Sequence, residues 1–275
     1  ILARPSFKNR FRGVVVDSNF VTSQSVEELE LTRSWLAQNN LSIAVDMSRV
    51  LDVYPLPPRC FRPIEFMPKA YNESLHHFHR VVEGAAAVGA RDLILTLHRA
   101  SKTTPDAPPV ATPKTARQVA DTVKKICGLC QSVGVTVHLR QASKNEDYIL
   151  GQEADPSALL SWTQSLHEPN LQIAPQTGLL LKHQSPAEPL SALYSRHAKF
   201  LFVAGYNAGV AGNALKYGSD FSNAKVSEMG PASRETVQRY VATAAQAGGV
   251  LVQDAALGSW AEALDEVAAT RASYL

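Results

Sequence analysis

Gly134-Val-Thr-Val-His-Leu-Arg-Gln141 is the stretch of sequence that decides the fold. A helical pattern ends at Gly134, an apolar strand follows it, and that strand finishes on the polar pair Arg140 and Gln141. The same succession of helix, glycine, apolar strand and polar end recurs along the chain, as at Gly89 to His98. Glycine is typical of helix C-termini, so each copy predicts the junction between a helix and the strand after it.

Seven strand-then-helix units can be counted along the chain. Their strands are predicted at residues 11–17, 41–48, 92–98, 135–141, 171–176, 199–205 and 249–253. Strands that are separated by helices pair in parallel, because a parallel connection needs a crossover. The apolar composition of these strands indicates that both faces of the sheet are covered.

Local signals mark where several of the helices begin. Ser25-Val-Glu-Glu28 is a capping box, in which the serine oxygen and the glutamate carboxylate each accept a backbone N–H. Proline, which suits the first helical position, opens five further helical patterns, at Pro68, Pro113, Pro156, Pro186 and Pro231.

Two α/β architectures have this order of elements, an open doubly wound sheet and a (β/α)8 barrel. No Gly-x-Gly-x-x-Gly follows the first strand, so a dinucleotide site has no support. The 275 residues suit a barrel, which typically takes about 250. We therefore favour a single (β/α)8 TIM-barrel domain over residues 1–275, which either lacks its first β/α unit or takes part of a strand from residues 1–10.

Composition and charge exclude several classes of partner. The chain is 45% apolar and its net charge of +2 is spread along the sequence, whereas a nucleic-acid site would show a basic stripe. No apolar run approaches the roughly 18 to 20 residues of a membrane helix, and no signal peptide is visible at Ile1. Because the chain does not begin with Met, we expect a processed or excised piece. We also expect the barrel to be part of a larger chain or of a homo-oligomer.

Three cysteines, Cys60, Cys127 and Cys130, do not suggest a disulfide framework and indicate a reducing, cytoplasmic location. Cys127 and Cys130 form a C-x-x-C, which would suit a redox or metal site. They lie in a helical pattern without a second Cys pair, so we expect them to pack on a helix face or in the core. His76 and His79 share a helix face but lack a third ligand, and we expect that face to be in solvent.

Four stretches of the chain carry a resemblance to a known family, and they are residues 78–98, 134–141, 170–178 and 248–253. The family that they resemble is the xylose isomerase-like barrel superfamily of sugar isomerases and epimerases. The resemblance is one of pattern and spacing, and it covers most of the chain from about Phe11 onward. It implies a divalent metal that is held by carboxylates and a His at consecutive strand ends. The four positions that match those ligands hold Arg140, Gln176, Ala204 and Gln253, while His98 matches a His common at the fourth strand end.

These replacements predict that no catalytic metal, and no other cofactor, is bound. Hard cations such as Mg²⁺ and Mn²⁺ need anionic oxygen ligands. An amide oxygen is neutral, and Arg140 would bring a positive charge to the place where the ion would sit.

Polar residues at the strand ends are expected to face the site, because function clusters at that face of a barrel. They are Asp17, Asn19, Asp46, Arg49, His98, Arg99, His138, Arg140, Gln176, Asn207 and Gln253. In one interpretation they form a metal-free pocket, with Asp46 or Asp17 as base, His98 as acid and Arg140 polarising a carbonyl or gripping a carboxylate.

Arg99, Gln176, Asn207 and Gln253 would then contact the substrate. In the alternative interpretation, Asp17, Asp46, Arg49 and Arg140 form a buried ion-pair network, since buried charges need partners. His138 lies in mid-strand, and we expect it to be an interior histidine whose hydrogen bonds are satisfied.

Two functions follow from these observations. The first is a diverged, non-catalytic barrel domain that binds a small-molecule sugar or sugar acid. The second is a metal-independent isomerase, epimerase or lyase that acts on a carbohydrate and uses Asp46 or Asp17 with His98.

Overall fold

The computed structural model describes residues 12–47, 68–96, 113–140, 155–182, 188–203 and 231–253. The strands within them are β1 (Gly13–Asp17), β2 (Ser42–Asp46), β3 (Asp92–Thr96), β4 (Thr136–Arg140), β5 (Leu171–Ala174), β6 (Phe200–Val203) and β7 (Val250–Gln253). The helices within them are α1 (Ser18–Ser23), α2 (Val26–Gln38), α3 (Pro68–Ala87), α4 (Pro113–Ser132), α5 (Pro156–Ser165), α6 (Thr177–Lys182), α7 (Glu188–Arg196) and α8 (Pro231–Gln246). All seven predicted strands are confirmed, with slightly shorter bounds.

The first of two compact units comprises residues 1–139, 149–151 and 166–171. In its sheet, β1 pairs with β2 and β2 with β3, both in parallel, and β4 follows β3 in the strand order. The register makes Asp17 the partner of Asp46, and Asp46 the partner of Ile94. Partners in a parallel pair point to the same face of the sheet. Asp17 and Asp46 therefore lie side by side on one face, at the carboxyl ends of their strands.

Helix α3 packs closely against α1 in this unit. Phe78, Val82 and Ala85 recur on α3 at helical spacing, as predicted, and all three are buried. Gly84 stands next to them, and a Cβ atom placed there would lie 2.6 Å from the backbone oxygen of Val21 in α1. The absence of a side chain at Gly84 is what lets the two helices approach.

The second unit comprises residues 140–148, 152–165 and 172–275. Strands β6 and β7 pair in parallel, from Phe200 with Val250 to Val203 with Gln253. Isolated bridges join Ile173 to Ala198 and Gln176 to Phe202. The core of the unit is formed by Leu159, Ile173, Leu180, Leu193, Tyr194, Ala198, Leu201, Val203, Val237, Tyr240, Val241 and Ala244.

The two faces of β6 have different neighbours. Leu201 and Val203 lie in the core cluster with residues of α8 such as Tyr240. Because side chains alternate along a strand, Phe200 and Phe202 lie on the opposite face. None of the helices in the described ranges is both long and apolar enough to cross a membrane.

We expect Gly84→Ala to lower the free energy of unfolding by about 1–3 kcal/mol, because the new methyl group overlaps the Val21 backbone and forces a shift. Gly128→Ala is the matched control. Gly128 also lies within a helix, but a Cβ atom there has no neighbour within 4 Å. The control should raise the free energy of unfolding by up to about 1 kcal/mol through helix propensity. Urea unfolding followed by circular dichroism compares the two, and equal shifts would contradict close α1–α3 packing.

Candidate functional site

Asp17 and Asp46 form a carboxylate pair at the ends of β1 and β2. Asp17 Oδ1 accepts a hydrogen bond from the backbone N–H of Asn19 at 2.7 Å, so Asp17 also caps helix α1. Its other oxygen, Oδ2, is buried and has no hydrogen-bond partner among the described residues. Asp46 is buried. The pair presents two carboxylates on one face of the sheet, where they can accept hydrogen bonds from hydroxyl groups or take up a proton.

Asn19 does not end the strand in the way that the sequence suggested. It lies in α1, which begins directly after β1 and was not predicted. The reason is local: Asp17 satisfies a backbone N–H at the start of the helix and so allows the strand to turn into the helix without a loop.

His138 and Asp92 form a second polar pair, farther from the strand ends. His138 Nε2 lies 2.9 Å from Asp92 Oδ1, and the histidine is fully buried. Asp92 is the first residue of β3, and His138 is in the middle of β4. The position confirms that His138 is an interior histidine, and it shows a hydrogen-bond partner for one ring nitrogen, Nε2. The pair joins neighbouring strands and is placed away from the carboxyl edge where barrel chemistry occurs.

In the second unit, Arg140, Phe202 and Gln176 form a group that we call the Arg140 cluster. Arg140 is the last residue of β4, and its side chain is buried, with 8% exposure. Its guanidinium carbon lies 4.1 Å from the centre of the Phe202 ring. Gln176, which is 1% exposed, follows β5 and bridges to Phe202 in parallel.

The Arg140 cluster has a defined orientation because Phe202 and Gln176 are bridge partners. Bridge partners in parallel strands share a face, and the Phe202 N–H donates to the Pro175 carbonyl oxygen at 2.9 Å. Phe202 and Gln176 therefore share the face of β6 that is opposite the helix-lined core, and the Arg140 guanidinium lies over the Phe202 ring. Phe202 was not predicted as a site residue. In the sequence, Phe200 and Phe202 alternate with Leu201 and Val203, which indicates the face of β6 on which Phe202 lies. No sequence pattern indicates that Phe202 contacts Arg140.

The remaining candidate residues are placed as follows. Gln253 ends β7, where its Cα partner is Val203. His98, Arg99, Asn207, Arg49 and Ala204 lie outside the described residues. The structure thus places Asp17 beside Asp46. It also places both Arg140 and Gln176 next to Phe202.

Arg140 and Gln176, at the ends of β4 and β5, do not fit a hard divalent cation as ligands. Such an ion needs several anionic oxygen ligands. At the end of β4 the chain instead places a buried guanidinium, and after β5 it places a neutral amide. In the described part of the chain, no group of three or more His, Cys, Asp or Glu side chains is arranged to hold a metal ion.

Cys127 and Cys130 pack inside the first unit, which confirms their predicted role in packing. Both are fully buried on α4. Burial disfavours the thiolate and raises the pKa of each thiol to about 12. The thiolate is the form that attacks disulfides and binds metals, so neither redox nor metal chemistry is supported here. His76 and His79 are exposed on α3, as expected.

No protein-family model matches the chain, and no curated protein matches it significantly. Solved structures do match it. A 3-keto-D-glucoside 4-epimerase from E. coli is 13% identical and has a TM-score of 0.65, with 95% of this chain and 89% of that chain covered. A D-psicose 3-epimerase from Clostridium cellulolyticum H10, crystallised with D-tagatose, is 10% identical at a TM-score of 0.69, covering 96% and 88%. A xylose isomerase domain protein from Planctomyces limnophilus is 13% identical at 0.63, covering 95% and 86%.

These likenesses show the fold. The chain has the fold of these (β/α)8 TIM barrels, as the repeated units and the resemblance predicted, and not that of an open doubly wound sheet. Seven of its strands lie within the described residues.

Thiol reactivity tests the burial of the cysteine pair. At about pH 7.5, we expect Ellman's reagent to label neither Cys127 nor Cys130 in the folded protein. Their thiols are buried, and their raised pKa values keep them un-ionised. Denaturant should expose both. A Cys60→Ser variant is the control, since it leaves only this pair. Labelling of that variant without denaturant would show that the pair is accessible.

The His138–Asp92 contact is expected to be energetically coupled. Asp92→Ala removes one hydrogen-bond partner of a fully buried imidazole and should cost about 1–3 kcal/mol of unfolding free energy. His138→Ala and the double variant complete a mutant cycle. The two single effects should not add, and the cycle should give an interaction energy of about 0.5–3 kcal/mol. Additive losses would mean that the contact between His138 and Asp92 does not contribute to the free energy of unfolding.

Proposed function

We propose that this chain is a carbohydrate-binding barrel that works without a divalent metal at its strand ends. The observation that carries the proposal is the buried Arg140 guanidinium at the carboxyl end of β4, held over the Phe202 ring. Function clusters at that end of a barrel, and a guanidinium has only N–H donors, so it cannot act as a metal ligand there.

The chemistry of the strand ends supports a sugar or sugar acid as the ligand. In the second unit, Arg140 and Gln176 carry N–H donors, the kind of group that binds the oxygen atoms of sugars and sugar acids. Solved structures of this fold include epimerases crystallised with D-fructose and with D-tagatose. Arg99, Asn207 and Gln253 are proposed to add further contacts to the ligand.

In this first candidate function the barrel binds its ligand and does not turn it over. It forms one cytoplasmic domain over residues 1–275, and its partner is the small molecule, not nucleic acid or membrane. The low cysteine count and the dispersed charge of the sequence support these assignments.

A second candidate function is a metal-independent isomerase, epimerase or lyase. The observation that favours it is Asp17 Oδ2, which is buried beside Asp46 and accepts no hydrogen bond among the described residues. A carboxylate in this position can act as a general base on the proton next to a carbonyl. His98 would supply the acid. Turnover should then be lost in Asp46→Asn and in His98→Ala while the fold stays intact, and unchanged rates would exclude this function.

Metal content tests the proposal directly. We expect elemental analysis to find no stoichiometric divalent ion in the purified protein. We also expect the melting temperature to stay within about 1 °C when Mn²⁺, Mg²⁺ or Zn²⁺ is added, because an ion that does not bind cannot stabilise the folded state. A stoichiometric ion that raises the melting temperature would overturn the proposal.

A matched variant separates a metal site from surface binding. The exposed His76 and His79 lie three residues apart on α3 and can attract Zn²⁺ weakly. His76→Ala/His79→Ala should abolish any Zn²⁺ effect of this origin. A Zn²⁺ effect that survives in the variant would count as metal bound elsewhere in the protein.

A further inference from the structure

We propose that the two oxygens of Asp17 have separate roles: Oδ1 holds the fold, and Oδ2 accepts a hydrogen bond from a hydroxyl group of the bound carbohydrate. The inference rests on the proposed carbohydrate-binding function and names one contact with the ligand. All the contacts behind it lie within the first unit.

The two oxygens of Asp17 have different surroundings. Oδ1 accepts the Asn19 N–H at 2.7 Å and so caps α1. Oδ2 is buried and receives no hydrogen bond from the described residues. A buried acceptor without a donor destabilises the folded state, and more so when the group is charged, so such an atom needs an explanation. Ligand binding provides one, because a ligand can supply the missing donor.

A second aspartate shows that helix capping does not require this burial. Asp155 precedes α5, and its Oδ1 accepts the Ser157 N–H at 2.9 Å, a bond with the same spacing along the chain. Asp155 Oδ2, however, is not among the buried, unpaired atoms of the described residues. A serine, with a single side-chain oxygen, caps a helix about as well as an aspartate. The burial of Asp17 Oδ2 therefore has a cause other than the cap.

Helix α1 fixes the direction of the Asp17 carboxylate. The cap ties Oδ1 to the first turn of α1. Near the other end of α1, the Arg80 guanidinium donates to the Thr22 carbonyl oxygen at 2.9 Å, and Gly84 packs against Val21. With α1 held against α3 in this way, Oδ2 keeps one position and is a pre-organised acceptor.

The place and the chemistry of Asp17 Oδ2 suit a hydroxyl group. Asp17 ends β1, at the carboxyl edge where function clusters in this fold. The residue as a whole is only partly buried, so Oδ2 lies just below the surface. A carboxylate oxygen accepts hydrogen bonds, and a hydroxyl group donates one. A metal ion is a poorer match, since no group of three or more His, Cys, Asp or Glu side chains in the described ranges is arranged to hold one.

Thermal unfolding of the ligand-free chain tests whether Oδ2 is left without a donor. Asp17→Ser keeps a capping oxygen and removes Oδ2, so its melting temperature should rise by about 2–4 °C. Asp17→Ala also loses the cap and should melt about 2–4 °C below Asp17→Ser. Asp155→Ser is the matched control and should stay within about 1 °C of the unaltered chain. A melting temperature of Asp17→Ser at or below that of the unaltered chain would overturn the inference.

Isothermal titration calorimetry on the full chain tests the contact itself, with D-fructose, D-tagatose and D-glucose as probes. Asp17→Ser should bind the sugar about tenfold or more weakly, the effect of losing a hydrogen bond to a charged group. Asp155→Ser should bind it as the unaltered chain does. Monodeoxy analogues of that sugar identify the hydroxyl group. The analogue that lacks it should bind equally well to the unaltered chain and to Asp17→Ser, because neither complex contains the contact.

The outcomes separate this inference from the proposed function. If a sugar binds to the unaltered chain and to Asp17→Ser with equal affinity, the hydroxyl contact is overturned and the carbohydrate-binding function stands. The same holds if every monodeoxy analogue still binds more weakly to Asp17→Ser than to the unaltered chain. If none of the sugars binds to the unaltered chain, both the contact and the proposed function are overturned.

Discussion

Parallel strand pairing is the constraint on which the rest of this structure depends. Because neighbouring strands run in the same direction, each connection returns through a helix, and the residues that end the strands gather at one edge. The register of the strands then decides which of these residues lie side by side. It sets Asp17 beside Asp46 in the first unit and Gln176 beside Phe202 in the second. The chemistry of each unit follows from these two juxtapositions and from the burial of Arg140.

A buried charge at a strand end decides what kind of ligand can be held there. A carboxylate in the place of Arg140 would suit a metal ion, whereas the guanidinium suits an anionic or oxygen-rich group. Desolvation makes a buried cation costly, and the Phe202 ring offsets part of that cost.

Local sequence signals predicted most of the elements because they act within a few residues. Gly89 and Gly134 have φ values of 77° and 72°, a conformation that favours glycine and ends the helices before them. The capping box is present, with the Ser25 N–H donating to Glu28 at 2.8 Å and the Glu28 N–H donating to Ser25 at 3.2 Å. Helices α1 and α6 were not predicted, because each is six residues long and too short to show the helical periodicity of apolar residues.

By itself, the sequence determined the order of strands and helices and the barrel class, because periodicity and caps are local properties. Only the tertiary structure decided which polar groups meet. His138 pairs with a carboxylate 46 residues away, and Arg140 lies over a phenylalanine two strands further along the chain. Such contacts depend on register and on which face of a strand turns inward. Those are settled by the packing of the whole sheet, and no short stretch of sequence encodes them.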